Sequence, residues 1–131
     1  MSMPLIENDA IFAYLNEFDP HHNTAERIFK KLEKGEITVT LLEMELIYRS
    51  EGKEDKLLQD LAALASLPNA SYIPLTPDVA LASVYLRQTL KLSFFDSHYA
   101  ATALNTDRLI ISFDQVYDRI PGLTRVDPES L

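Results

Sequence analysis

The run LIIS, from Leu109 to Ser112, carries no polar alternation. A strand with one wet face alternates apolar and polar residues, whereas one covered on both faces reads as a continuous apolar run. Such a strand calls for a parallel sheet with helices above and below it. Asp114 falls where this strand must end, and Asp96 stands on the far side of the Ala-rich helical pattern that precedes it. Groups at the carboxyl ends of strands in open α/β sheets face the ligand crevice. An acid in that place is poorly explained by packing.

The rest of the chain repeats the alternation. Pro4 to Ile6 predicts a short strand, followed by a helix from about Asn8 to Phe18. Asp19 and Pro20 open a second helix with Ala25, Ile28, Phe29 and Leu32 at helical spacing, closed by Gly35 after three lysines. Ile37 to Thr40 predicts a strand, LLEMELIYRSEG a helix stopping at Gly52, and EDKLLQDLAALASL another stopping before Pro68. SYIPL reads as a strand. Thr76 and Pro77 supply an N-cap and first helical residue for TPDVALASVYLRQTL. A helix near Asp96 to Asn105, a strand over Leu109 to Phe113 and a last strand near Leu123 to Val126 complete the series. No linker divides it. The expectation is one domain over residues 1–131, a three-layer α/β/α sandwich with a mostly parallel central sheet.

A chain of 131 residues with 47% hydrophobic and 24% charged content can bury a real core. The absence of cysteine excludes a disulfide framework and thiol chemistry, and suits a reducing cytoplasm. Three histidines, two of them adjacent, argue poorly for zinc. No apolar run approaches the roughly 20 residues that span a bilayer, so no membrane association is expected. MSMPLIENDA shows neither the basic region nor the long apolar stretch of a signal peptide. The net charge of -8 runs against the basic footprint usual in nucleic-acid binders. Either the acids form a solvated surface, or some cluster, bind cations and reverse the local charge.

The second possibility has candidates. Glu7 and Asp9 follow the first strand, Glu43 the second and Asp114 a late one, while Asp96 opens a late helix. If those strands are parallel neighbours, the acids converge at one sheet edge. Clustered carboxylates repel one another and need a cation or a shared proton. Mg²⁺ and Mn²⁺ are the natural occupants of oxygen-rich sites, and can activate water and stabilise charge in phosphodiester cleavage. Ser112, two residues before Asp114, shares its face in an extended strand; its hydroxyl could support a carboxylate or water, and a packed strand serine is an equally ordinary reading.

Each acid also has an ordinary structural role open to it. Ser93 to Asp96 and Thr40 to Glu43 fit capping boxes. Asp9 could answer a helix dipole, and Asp114 could start the turn FDQVYD. Glu45 shares a helical stripe with Arg49 as an exposed pair, whereas Glu43 lies between Leu46 and Ile47 on a packing face. A carboxylate held among apolar neighbours is the costlier placement, so Glu43 is preferred over Glu45 as the site residue. His21 and His22 read as the start of an exposed helix, and His98 as structural or surface. Arg87 and Lys91 are solvated helix charges by default, with phosphate binding as the alternative.

Several familiar architectures are missing their signatures. There is no GxxxxGK[ST], no GxGxxG and no GxSxG. Acidic pockets at strand ends also occur in phosphorelay receiver domains, but FDQVYDRIPGL offers no counterpart to the lysine expected after their last main strand. What the chain resembles is the PIN domain family, particularly the toxin nucleases of VapBC-type toxin–antitoxin pairs. The segment LSFFDSHYAATALNTDRLIISFDQVYDRIPGL is similar to that family's Asp before an Ala-rich helix, apolar strand, Thr or Ser, one residue, and Asp, with the IPGL ending. ENDAIFAYLN resembles its opening Asp-x-Asn/Ser and apolar helix, and TLLEMELIYRS its Glu-bearing helix.

The resemblance implies an acidic quartet that binds Mg²⁺ or Mn²⁺ for RNA cleavage, a homodimer, and an antitoxin that blocks the site. Asp96 takes the third acidic position, Asp114 the fourth, and Ser112 the accompanying hydroxyl. Glu43, or Glu45 in its place, takes the second. At the first position Glu7 stands where the family usually has Asp, and Asp9 where it has Asn or Ser. The expected function is a metal-dependent, toxin-like endoribonuclease. The alternative is a catalytically weakened PIN-like module that binds protein or RNA.

Overall fold

The computed structural model describes residues 4–32, 37–39, 48–66 and 70–131. Among the described residues five short strands form one sheet: β1 (Leu5–Ile6), β2 (Ile37–Val39), β3 (Ala70–Tyr72), β4 (Leu109–Ile111) and β5 (Thr124–Val126). Their order across the sheet is β3-β2-β1-β4-β5, and every neighbouring pair is parallel. The helices are α1 (Asn8–Leu15), α2 (His22–Leu32), α3 (Glu54–Ala65), α4 (Pro77–Leu90) and α5 (Phe94–Leu104). Residues 48–50 are also helical.

Successive strand residues point to opposite faces, and the core divides accordingly. Leu5 and Ile110 join Leu86, Leu92, Tyr99, Tyr117, Ile120 and Leu123 on the face covered by α4 and α5. Ile6 and Ile111 join Ala10, Ile11, Phe29, Leu57 and Leu64 on the face covered by α1, α2 and α3. The unalternated LIIS run is therefore apolar because both its faces are inside. This is the three-layer sandwich with a parallel sheet that the sequence predicts.

The strand order reverses at β1, which pairs β2 on one side and β4 on the other with Leu5 opposite Thr38 and Ile110. Such a switch point opens a crevice beyond the carboxyl ends of the two central strands. The chain segments that leave β1 and β4 therefore meet there. The order also departs from the 2-1-3-4-5 order of receiver domains, which removes that reading.

Element ends differ from expectation for local reasons. Helix α1 stops at Leu15 rather than Phe18 because Asn16 turns extended and its side-chain oxygen accepts the Phe18 N–H at 3.1 Å. Helix α2 starts at His22 because Asp19 makes the same kind of turn, accepting the His21 N–H at 2.8 Å. Strand β3 ends at Tyr72, ahead of Pro74, whose nitrogen has no proton for a ladder. Helix α5 starts at Phe94, two residues ahead of Asp96, because Ser93 is its N-cap. Strand β4 ends at Ile111 rather than Phe113 because the Phe113 N–H is taken by a carboxylate, that of Asp9. Thr76 and Pro77 behave as expected: Thr76 Oγ1 accepts the Val79 N–H at 3.3 Å. Gly122, at φ +83°, makes the left-handed turn that sends the chain from IPGL into β5. The helix end expected at Gly35 lies outside the described residues, as do Glu43 and Glu45.

Candidate functional site

Beyond Ile6, Glu7 becomes the N-cap of α1. Its Oε2 accepts the Asp9 N–H at 3.4 Å, and the residue is only 7% exposed. Asp9 lies in the first turn of the same helix, but its carboxylate reaches across to the end of β4. Asp9 Oδ2 accepts the Ser112 hydroxyl at 2.8 Å and the Phe113 N–H at 3.0 Å. Ser112 is fully buried, and its oxygen also stands 3.2 Å from Glu7 Oε2. A serine carries one hydroxyl proton, so the shorter contact to Asp9 takes it. Two carboxylates thus converge on one buried hydroxyl.

Such a pair is electrostatically unfavourable, and the positive end of the α1 dipole offsets only part of that. Asp9 Oδ1 sharpens the problem, because it is buried and has no hydrogen-bond partner among the described residues. A buried carboxylate oxygen without a donor costs free energy, and a cation would satisfy it. The donor set is all oxygen, which suits a hard divalent ion. The residues present therefore fit such an ion.

Asp114 joins the group through the backbone. Its N–H donates to Ser112 Oγ at 3.0 Å, so the serine accepts from Asp114 while donating to Asp9. Asp114 is exposed and caps a 3₁₀ helix, Gln115–Arg119, through Oδ1 and the Val116 N–H at 2.9 Å. The turn-starting role weighed for Asp114 is real, and it coexists with a place at the crevice.

Asp96 comes from the other direction. Ser93 Oγ accepts the Asp96 N–H at 3.1 Å, so one half of the capping box forms. The half-buried Asp96 carboxylate receives the Tyr117 hydroxyl at 3.4 Å. Asp96 is therefore connected to the Asp114 side through the 3₁₀ helix that carries Tyr117. Among the described residues no three His, Asp or Glu side chains gather closely enough to hold a metal ion. The Glu7 and Asp9 side chains meet at Ser112, Asp114 joins them through its backbone N–H, Asp96 is linked by way of Tyr117, and Glu43 lies outside the described residues.

Of the other sequence candidates, His21 borders these acids through Phe113, whose N–H donates to Asp9. His22 starts α2 between the Ala13 carbonyl, 2.7 Å from Nδ1, and Glu26, 3.1 Å from Nε2. His21 stacks on Phe113 with ring centroids 4.2 Å apart. His98 packs on Phe94, and burial followed by the nearby Arg87 charge holds its imidazole below the ordinary pKa. Arg87 donates to Ser97 Oγ at 2.9 Å and lies over the Phe94 ring. Lys91 ends α4 in a left-handed conformation.

Two contributors escaped the sequence reading. Tyr117 is one. The other is Arg125, whose guanidinium forks onto Asp118 at 3.0 and 3.2 Å and donates to the Ser112 carbonyl at 3.1 Å. Its hydrogen bond to Asp118 raises its pKa, against some loss from burial, and the charges of Asp118, Asp127 and Asp114 raise it further. The available signal was an arginine in a short strand pattern surrounded by those three aspartates.

Acids and a serine gather at the switch point, and the sequence that places them there matches the PIN domain family over residues 6–123. The chain belongs to the PIN domain family. PIN domains in general are divalent-metal-dependent nucleases. No curated protein matches the sequence. Among solved structures, the fold is similar to a chain of the VapBC2 complex from Rickettsia felis bound to a DNA fragment from their promoter, with a TM-score of 0.74 at 15% identity. That match covers 95% of this chain and 98% of the other. It is also similar to a chain of a toxin–antitoxin complex from Klebsiella pneumoniae, with a TM-score of 0.63 at 23% identity, covering 95% and 97% of the two chains. Among the described residues of this PIN domain, no helix is long and apolar enough to cross a membrane.

Proposed function

We propose that this PIN domain is a Mg²⁺- or Mn²⁺-dependent endoribonuclease of the toxin type. The observation that carries the proposal is the convergence of Glu7 and Asp9 on the buried Ser112 hydroxyl, with Asp9 Oδ1 left without a hydrogen-bond partner among the described residues. Family membership supports the chemistry. The likeness to chains of two toxin–antitoxin complexes supports the biological class.

In this reading Asp9, Glu7, Asp96 and Asp114 would be the residues that hold the ion, together with Glu43, which lies outside the described residues. Both acids of the ENDA segment would take part, so the first acidic position is shared between Glu7 and Asp9. When bound, such an ion makes water a better nucleophile and offsets charge developing on the phosphate. The chain's own residues arrange the acids. Ser112 and the Phe113 N–H fix Asp9 by one oxygen, the α1 N-terminus favours negative charge on Glu7 and Asp9, and Arg125 holds the Ser112 carbonyl in place. No serine, cysteine or histidine nucleophile is required.

A chain with a net charge of -8 repels RNA as a whole. Cation binding at the crevice reverses that locally, so metal and substrate binding are coupled. The same acidity suits a basic antitoxin segment as partner, and the chain works as a single PIN unit, as a homodimer, in the cytoplasm. The test is cleavage of structured RNAs with Mn²⁺, with chelator and with Asp96→Asn. Cleavage that needs the ion and is lost in the variant is the expected result. Absence of Mn²⁺ binding, or cleavage indifferent to Asp96→Asn, overturns the assignment and leaves a PIN-like binding module.

A further inference from the structure

We infer that Tyr117 is a positioning residue for Asp96, and that the 3₁₀ helix carrying it sets where Asp96 lies relative to Asp114. The inference rests on the reading of those two acids as parts of one site. The Tyr117 ring is fully buried, packed in the cluster that holds Leu5, Leu86, Tyr99, Ile110 and Leu123. A tyrosine buried this deeply normally brings its hydroxyl to a partner. Here the hydroxyl emerges from the core at Asp96 Oδ1, 3.4 Å away and 21 residues earlier in the chain.

The turn that carries Tyr117 is pinned on its other sides as well. Asp114 caps it through the Val116 N–H at 2.9 Å. Asp118, one residue beyond Tyr117, is gripped by the Arg125 fork, and Arg125 also holds the Ser112 carbonyl at 3.1 Å. The five-residue turn is thus fastened to the end of β4, to β5 and to the first turn of α5. Any shift of the turn relative to β4 changes the Asp96–Asp114 separation. The Tyr117–Asp96 contact is long for a hydroxyl donor. It restricts the direction of the carboxylate more than it stabilises the fold.

Core filling by the ring and orientation by the hydroxyl are separable, because Tyr117→Phe keeps the first and deletes the second. Three measurements on the full chain, wild type and Tyr117→Phe, test the inference: melting temperature, side-chain three-bond couplings of Asp96 by NMR without metal, and Mn²⁺ affinity by calorimetry. The expected result is a small change in melting temperature, one Asp96 rotamer in the wild type, rotamer averaging in the variant, and Mn²⁺ affinity weakened about fivefold, the scale of one modest hydrogen bond. Averaged couplings in the wild type, or a single rotamer that persists in Tyr117→Phe, overturn it. So does unchanged Mn²⁺ affinity in a variant whose couplings have averaged. If the wild type binds no Mn²⁺ while the couplings behave as expected, the nuclease reading falls and the positioning of Asp96 by Tyr117 is supported.

Discussion

Asp9 and Ser112, 103 residues apart in the chain, are joined by a 2.8 Å hydrogen bond in which the serine hydroxyl donates to Asp9 Oδ2. That bond ties the segment leaving β1 to the segment leaving β4 across the switch point of the sheet. The same hydroxyl oxygen accepts the Asp114 N–H. Ser112→Ala therefore removes a donor from Asp9 and an acceptor from Asp114 together. The expected cost is about 1–3 kcal/mol of folding stability, the range for leaving buried polar groups unpaired. Urea unfolding of the two proteins measures it.

Asp9→Asn has the opposite sign without metal. The amide oxygen still accepts from Ser112 and Phe113, while the amide nitrogen takes the place of Oδ1 and removes one of two neighbouring negative charges. The metal-free variant is expected to melt about 3 °C higher than the wild type, from about 1 kcal/mol of relieved repulsion. Added Mn²⁺ is expected to stabilise the wild type and to leave the variant unmoved. Thermal unfolding with and without the ion reads both effects.

How far the sequence revealed this arrangement depends on the range of the interaction. The unalternated LIIS run betrayed the doubly covered strand, and the Thr76-Pro77 pair its helix start, because both signals are local. Asp96, Asp114 and Ser112 were visible by their spacing around that strand. The meeting of Glu7 and Asp9 at one hydroxyl was not, since it depends on a serine more than 100 residues away. The end of β4 at Ile111 is hidden from the sequence for the same reason: nothing local says that the Phe113 N–H leaves the ladder for Asp9. Nothing local in FDQVYDRIPGL singles out Tyr117, because its hydroxyl meets Asp96 only once α5 is packed beside it.

Arg125 provides a separate test of geometry against charge. Its side chain is 11% exposed while its partner Asp118 is 52% exposed, so the ion pair alone contributes little. The bond to the Ser112 carbonyl matters more, because that carbonyl belongs to a buried residue. Arg125→Met is expected to lose about 1–2 kcal/mol. Arg125→Lys should recover little of it, since an ammonium cannot reproduce the fork. Denaturant midpoints of the two variants decide the point.

Tyr48 governs an alkaline limit. Its hydroxyl donates to Asp60 Oδ2 at 2.6 Å, and burial, that hydrogen bond and the charges of Asp60 and Glu51 push the phenol above its ordinary range. The unfolded chain begins to lose this proton near about pH 10 while the folded protein keeps it. The stability contributed is therefore fully present below about pH 10 and is lost as the pH rises through the folded value. Tyr48→Phe is expected to be about 1–2 kcal/mol less stable at neutral pH and to show a flatter decline above about pH 10. Unfolding free energies of both proteins across that range measure the difference.

The most direct test of the acidic site is titration of Mn²⁺ into the metal-free protein, followed by electron paramagnetic resonance, for the wild type and for Asp9→Asn. Saturable binding by the wild type that is lost in the variant is the expected result. No saturable binding, or binding that Asp9→Asn leaves unchanged, would contradict a cation site built on Glu7, Asp9 and Ser112.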